Sequence, residues 1–175
     1  RFKYLYEDIT QKHIANLLLS RWPSRGKCLV IGAGRGGLSS NLGLSGLEVD
    51  SLEPYEQYSE IIRWKYKKYG IKGEVIRNTI EMASLGNNSY DFSAMIDVIE
   101  HVESPESSLQ AIFKSLKSGG ELYITVPSRF QFIDPHYKIP FICWMPLRIA
   151  DKLLSIVGRL KEDGAAGRQK LSTMH

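Results

Sequence analysis

Two cysteines, Cys28 and Cys143, are all that the sequence holds, which excludes a disulfide framework and a cysteine-built metal centre. A reduced, cytoplasmic protein is the expectation from that usage. Blocks of Lys or Arg are missing too. A net charge of +4 over 175 residues is mild, so nucleic acid is not an expected partner. The densest basic run, RWKYKKY at 63–69, reads as the solvated face of a helix whose packed side carries Tyr55, Tyr58, Ile62, Tyr66 and Tyr69. No apolar run is clean enough to span a bilayer, because 139–157 is interrupted by Pro140, Pro146, Arg148, Asp151 and Lys152. Neither a signal peptide nor an internal repeat is visible, and the chain opens on Arg1 rather than Met, so a natural N-terminus is expected to be missing.

What the chain does have is concentrated between Cys28 and Pro54. Residues 28–31 (CLVI) are an apolar run too short for a helix, as in a parallel strand covered on both faces. GAGRGG follows at 32–37, removing Cβ atoms where the backbone turns sharply or approaches a ligand. Glu53 ends the next strand, near the spacing at which a carboxylate reaches a ribose hydroxyl pair. Together these predict a pocket for an adenosine-containing cofactor. The glycine pattern alone fits a dinucleotide as well as other adenosine derivatives.

Along the chain, periodicity predicts an amphipathic helix over 7–22 stopped by Pro23, then strands at 27–32, 47–53, 73–78, 91–96 and 121–126. Helices are predicted at 35–44, at 55–69 before Gly70, and from Pro105 onward behind a Ser104 cap. The last is expected to bury Leu109, Ile112, Phe113 and Leu116 and to end at Gly119. Strands alternating with helices give an α/β fold, a Rossmann-like, doubly wound parallel sheet. After residue 128 the pattern changes to aromatics and prolines.

Residues 89–128, SYDFSAMIDVIEHVESPESSLQAIFKSLKSGGELYITVPS, carry a more specific signal. A strand ending in an acid, an E-H-V run and a helix leading through G-G into the next strand resemble the class I S-adenosylmethionine-dependent methyltransferases, in order and spacing from about 28 to 128. The resemblance implies that S-adenosylmethionine is the cofactor and S-adenosylhomocysteine the product. Gly32, Ala33 and Gly34 would form its loop and Glu53 its ribose anchor. Tyr55 and Ile80 match positions beside adenine, with Thr79 where an Asp is often found, and Val30 stands where a strand-one acid is usual.

Asp97, at the end of the fourth strand, is expected to face the methionine moiety or cap a helix. His101 is a candidate general base or a structural loop residue, and Arg35 a solvated or carboxylate-pairing residue. Residues 130–144 are expected to wall the acceptor pocket, with His136 a further candidate base. The domain reading is a core over 1–128 and an acceptor-side lid, helix and tail over 129–175 in the same domain. Because the family's two final antiparallel strands are not found, the chain is expected to be truncated, leaving strand five as an edge for a second copy. The function read from all this is methyl transfer to O or N of a small molecule, lipid or glycan precursor. The alternatives are an NAD(P)-dependent oxidoreductase and a non-catalytic interaction module retaining the fold.

Overall fold

A computed structural model describes residues 11–22 and 26–126, together with 145, 149, 152 and 153. Its elements run α1 (Lys12–Arg21), β1 (Lys27–Ile31), α2 (Gly37–Leu44), β2 (Glu48–Leu52), α3 (Glu56–Tyr69), β3 (Val75–Ile76), β4 (Tyr90–Ile96), a 3-10 turn (Ile99–His101), α4 (Pro105–Ser115) and β5 (Leu116–Thr125). All four strand pairings are parallel and the sheet order is β3-β2-β1-β4-β5. The expected Rossmann-like sheet is therefore present. The chain divides into two compact units, Arg1–Thr125 and Val126–His175. Of the second unit, residues 149, 152 and 153 are helical; the expected lid at 130–144, with His136, lies outside the described residues, as do the tail and the final strands.

Burial on both faces explains the apolar runs. From β1, Cys28 and Val30 point into one core with Ala15 and Leu18 of α1, Leu38 and Leu42 of α2, and Ile62 of α3. Its alternate residues, Leu29 and Ile31, enter a second core with Leu52, Met95, Ile80 and Ile112 of α4. This is the strand periodicity of two applied to a covered sheet. Buried Ser51 of β2 contacts the Ser39 hydroxyl at 2.7 Å and the Tyr66 hydroxyl at 2.8 Å, fastening α2 and α3 to one strand. The Cys28 thiol is fully buried, and desolvation pushes its pKa up, so it is inert packing.

Several local signals act as expected. The Ser104 side chain caps α4 by accepting from the Ser107 N–H, with Pro105 at the first helical position. Gly70 ends α3 in the left-handed region at φ 65°, its N–H bonding the Tyr66 carbonyl.

Three expectations are corrected. Leu109 and Phe113 do not line the buried side of α4: they are 40% and 79% exposed, and Ser108, Ile112 and Ser115 are buried instead. That helix also stops at Ser115, before Gly119, because the Asn88 and Ser89 N–H groups bond the Lys114 and Ser115 carbonyls and Leu116 joins the sheet opposite Tyr90. Residues 117–120 then bulge from β5 before Glu121 pairs with Phe92. Finally, the 63–69 run is not wholly solvated. Lys65 is 1% exposed, whereas Trp64 and Tyr69 face outward.

Candidate active site

Register brings the candidate residues to one end of the sheet. Ile31 of β1 pairs with Leu52 of β2 and with Met95 of β4, so Gly32, Glu53 and Asp97 emerge at the carboxyl ends of three adjacent strands. The order reverses between β1 and β4, the switch point at which open α/β sheets take ligands. A cavity of about 260 Å³ lined by Gly26, Asp91, Lys117 and neighbours lies at the opposite, amino ends, away from this chemistry.

The loop after β1 is shaped by left-handed backbone at Gly32 (φ 63°), Gly34 (φ 55°) and Gly36 (φ 74°). Two of these glycines answer to protein neighbours. A Cβ on Gly32 would stand 2.3 Å from Val98 Cγ2, and one on Gly36 would stand 2.9 Å from Ile62 Cγ1. The missing side chain at Gly32 thus admits the segment following β4, packing the two ligand-end loops together.

Glu53 is the hub of the site. It is 3% exposed; its Oε2 accepts the Gly34 N–H at 2.8 Å and its Oε1 accepts the Tyr55 N–H at 3.0 Å. Its backbone is held as well, the carbonyl accepting the Ser59 hydroxyl at 2.9 Å. These two backbone bonds fix the orientation of the Glu53 carboxylate. Tyr55 is 37% exposed, with its ring edge-on to Tyr58 at 5.9 Å, and the Arg35 guanidinium lies 5.6 Å from the Tyr58 centroid. The amino end of α2 is partly engaged already, since the Leu38 N–H donates to the Gln11 side chain.

The remaining candidates are spread around this hub. Ile80 is buried in the second core. Thr79 is exposed, and its hydroxyl hydrogen-bonds Glu81. Desolvation works to raise the Glu81 carboxyl. The hydrogen bonds outweigh it and hold that group below the usual range; they come from its own N–H, the Thr79 hydroxyl and the backbone of Glu103 and Ser104. Asp97 adopts φ 52°, its Oδ1 accepting the Thr125 hydroxyl at 2.9 Å, and Ser104 rather than Asp97 caps α4. His101 sits on the 3-10 turn with its Nε2 3.9 Å from Glu100 Oε1.

Glu100 is the residue that sequence reasoning passed over. Both its carboxylate oxygens are buried without a hydrogen-bond partner. Its neighbour His101 drew attention by residue type, but only packing could reveal the orphaned carboxylate. Among the described residues no cluster of His, Cys, Asp and Glu could hold a metal ion, and no helix is long and apolar enough to cross a membrane.

Comparison with known proteins extends this geometry. A family model described as a methyltransferase domain matches residues 3–160. A ubiquinone biosynthesis O-methyltransferase of Vibrio atlanticus is 30% identical over 104 residues, 59% of this chain and 44% of that protein. The chain spans less than half the length of such curated relatives. Among solved structures, an S-adenosylmethionine-dependent methyltransferase of Thermotoga maritima is 27% identical with a TM-score of 0.52, over 69% of this chain and 52% of the other. One from Aquifex aeolicus shares the fold at 18% identity with a TM-score of 0.62, over 82% and 78%.

Proposed function

The chain belongs to the methyltransferase-domain family, whose members use S-adenosylmethionine, and from that premise we propose that it transfers a methyl group to an oxygen of a small hydroxylated molecule. The observation that carries the reading is the Glu53 carboxylate, buried at the switch point and oriented by the Gly34 and Tyr55 amides. Oxygen is preferred over nitrogen because the similar curated proteins are O-methyltransferases of ubiquinone biosynthesis. An oxidoreductase would use the glycine loop and Glu53, but it leaves the family match unexplained.

The residues present fit the cofactor. Glu53 would take the ribose hydroxyls, the loop at 32–34 would pass beneath the methionine portion, and the exposed Tyr55 ring would cover adenine. When bound, the cofactor supplies an electrophilic methyl on a positively charged sulfur. The protein's contribution is then to hold an acceptor in line and to keep water out. Asp97 and His101 stand at the carboxyl end of β4, where the acceptor would approach.

Two features favour a second reading, a binding module that retains the fold. Val30 is buried in the core where the family's acid is usual, and the Thr79 hydroxyl is engaged by Glu81. Each absent polar contact would weaken cofactor binding by about 1 kcal/mol. Titration calorimetry with S-adenosylhomocysteine and with NAD tests the cofactor assignment, and transfer of a labelled methyl to a panel of phenols tests the activity. Binding of S-adenosylhomocysteine with methylation of a phenol is expected. Selective binding of NAD would overturn the proposal.

A further inference from the structure

Which side of α3 meets water is fixed by what lies beneath it. Its buried residues are Ser59, Ile62, Lys65 and Tyr66, at the three- and four-residue spacing of one helical face. The Tyr66 hydroxyl donates to the Val49 carbonyl at 2.8 Å, and buried Ile71, just past the helix, donates its N–H to the Tyr66 carbonyl at 3.0 Å. With the helix held in that rotation, Trp64 turns away from the core and is 56% exposed, and Tyr69 in the last turn is 40% exposed. Single exposed apolar side chains are ordinary, but these two share a cation. Lys68 Nζ lies 4.7 Å from the Trp64 ring centroid and 5.1 Å from that of Tyr69, so the three side chains form one cluster.

Charge divides along the same helix. Near its start the acids are matched, Glu56 pairing with Arg77 at 3.0 Å and Glu60 with Arg63 at 2.6 Å. Its last turn carries exposed Lys67 and Lys68, and exposed Lys72 follows two residues past the cap at Gly70. Among the described residues no carboxylate pairs with any of these three lysines. The basic run at 63–69 is therefore aromatic as well as cationic on its outer side, which a purely solvated face does not require.

We propose that the carboxyl-terminal half of α3, with Trp64, Lys67, Lys68, Tyr69 and the adjoining Lys72, docks this chain on the surface of an anionic phospholipid bilayer. Indole and phenol rings, apolar in body and polar at one end, settle at the boundary between headgroups and acyl chains. Lysines beside them keep their ammonium groups among the negative headgroups. The outer surface of a helix suits a broad planar partner, and nucleic acid would select longer basic runs than this one. The Val49 amide donates to the Lys72 carbonyl, so this end of α3 lies beside the amino end of β2, opposite Glu53. Docking there leaves the carboxyl ends of the strands open to ligands. The inference is independent of the methyltransferase reading.

The test is co-sedimentation with vesicles of phosphatidylglycerol and phosphatidylcholine in equal parts, against vesicles of phosphatidylcholine alone. Binding to the mixed vesicles is expected, about a hundredfold weaker on the neutral ones, since each lysine near an anionic surface adds about fivefold. Added salt should weaken it. Lys67→Ser with Lys68→Ser should reduce the affinity about twentyfold, and Trp64→Ser about tenfold. Tryptophan emission should move to shorter wavelength on binding. Trp64→Phe, which leaves Trp22 and Trp144 in place, should abolish that shift while keeping most of the binding. These side chains are exposed, so every variant should melt with the parent protein. No binding to the mixed vesicles, equal binding to the neutral ones, or binding that the lysine and Trp64→Ser variants retain in full would overturn the proposal. Tighter binding to single-stranded RNA or to polyglutamate than to the vesicles would overturn it as well, by assigning the face to a different polyanion.

Discussion

Gly32 and Val98 form a contact in which the absence of one side chain makes room for the other. The glycine's missing Cβ would lie 2.3 Å from a Val98 methyl, and its backbone sits at φ 63°. Through this pair the loop after β1 and the segment after β4 are locked together at the ligand end of the sheet. The glycine thus serves packing between two site loops as well as the turn itself.

Gly32→Ala should therefore destabilise the protein by about 2–4 kcal/mol, combining the left-handed backbone cost with overpacking. Adding Val98→Ala should restore the overpacking part and leave the backbone part. Urea denaturation of the two variants checks this. Equal stability of the single and double variants would mean that Val98 plays no part.

Glu53→Gln replaces one acceptor oxygen by a donor facing the Gly34 or Tyr55 amide, both of which now donate to the carboxylate. The expected result is a loss of about 1–3 kcal/mol in S-adenosylhomocysteine binding. Calorimetry on the folded variant provides the measurement. An unchanged dissociation constant would remove Glu53 from the cofactor site.

On α4 the apolar residues Ile112 and Phe113 are adjacent in sequence but opposite in environment, 0% and 79% exposed. Ile112→Ala should cost about 2–5 kcal/mol by leaving a cavity. Phe113→Ser should change stability by no more than about 0.5 kcal/mol. Thermal melts of the pair distinguish this arrangement from one in which both residues share a buried stripe.

Acid should weaken the fold through Asp91 and Glu81. Desolvation acts to raise the Asp91 carboxyl, but the Lys27 amide at 2.8 Å and the Lys117 ammonium at 2.9 Å hold it below its ordinary range. Glu81 is depressed likewise. A carboxyl whose pKa is lower in the folded state adds stability above its unfolded pKa of about 4, and that stability is lost as pH falls through the folded value. Denaturation midpoints should thus drop as the pH falls below about 4, and less so in Asp91→Asn. Because the Asp91–Lys117 pair is nearly half exposed, the Asp91 part should shrink with added salt.

Local physics made much of this legible in the amino-acid order. Residues 28–31 can only be a strand covered on both faces, Ser104-Pro105 starts a helix and Gly70 ends one, because each depends on backbone preference within a few residues. The glycine loop and Glu53 follow from the same strand–turn–helix–strand grammar, and they suffice to predict the sheet and the cofactor class. Tertiary structure decided the rest. Lys65 is inside and Phe113 outside against their residue types, and the Asn88 and Ser89 amides end α4 four residues before Gly119. A pattern of apolar residues marks a side of a helix but not what packs on it, so which residues are covered depends on partners distant in sequence. Glu100 is the sharpest case. Beside His101 it reads as one more exposed acid, and only the packing of the turn on the glycine loop and the second core makes it a buried carboxylate in want of a donor.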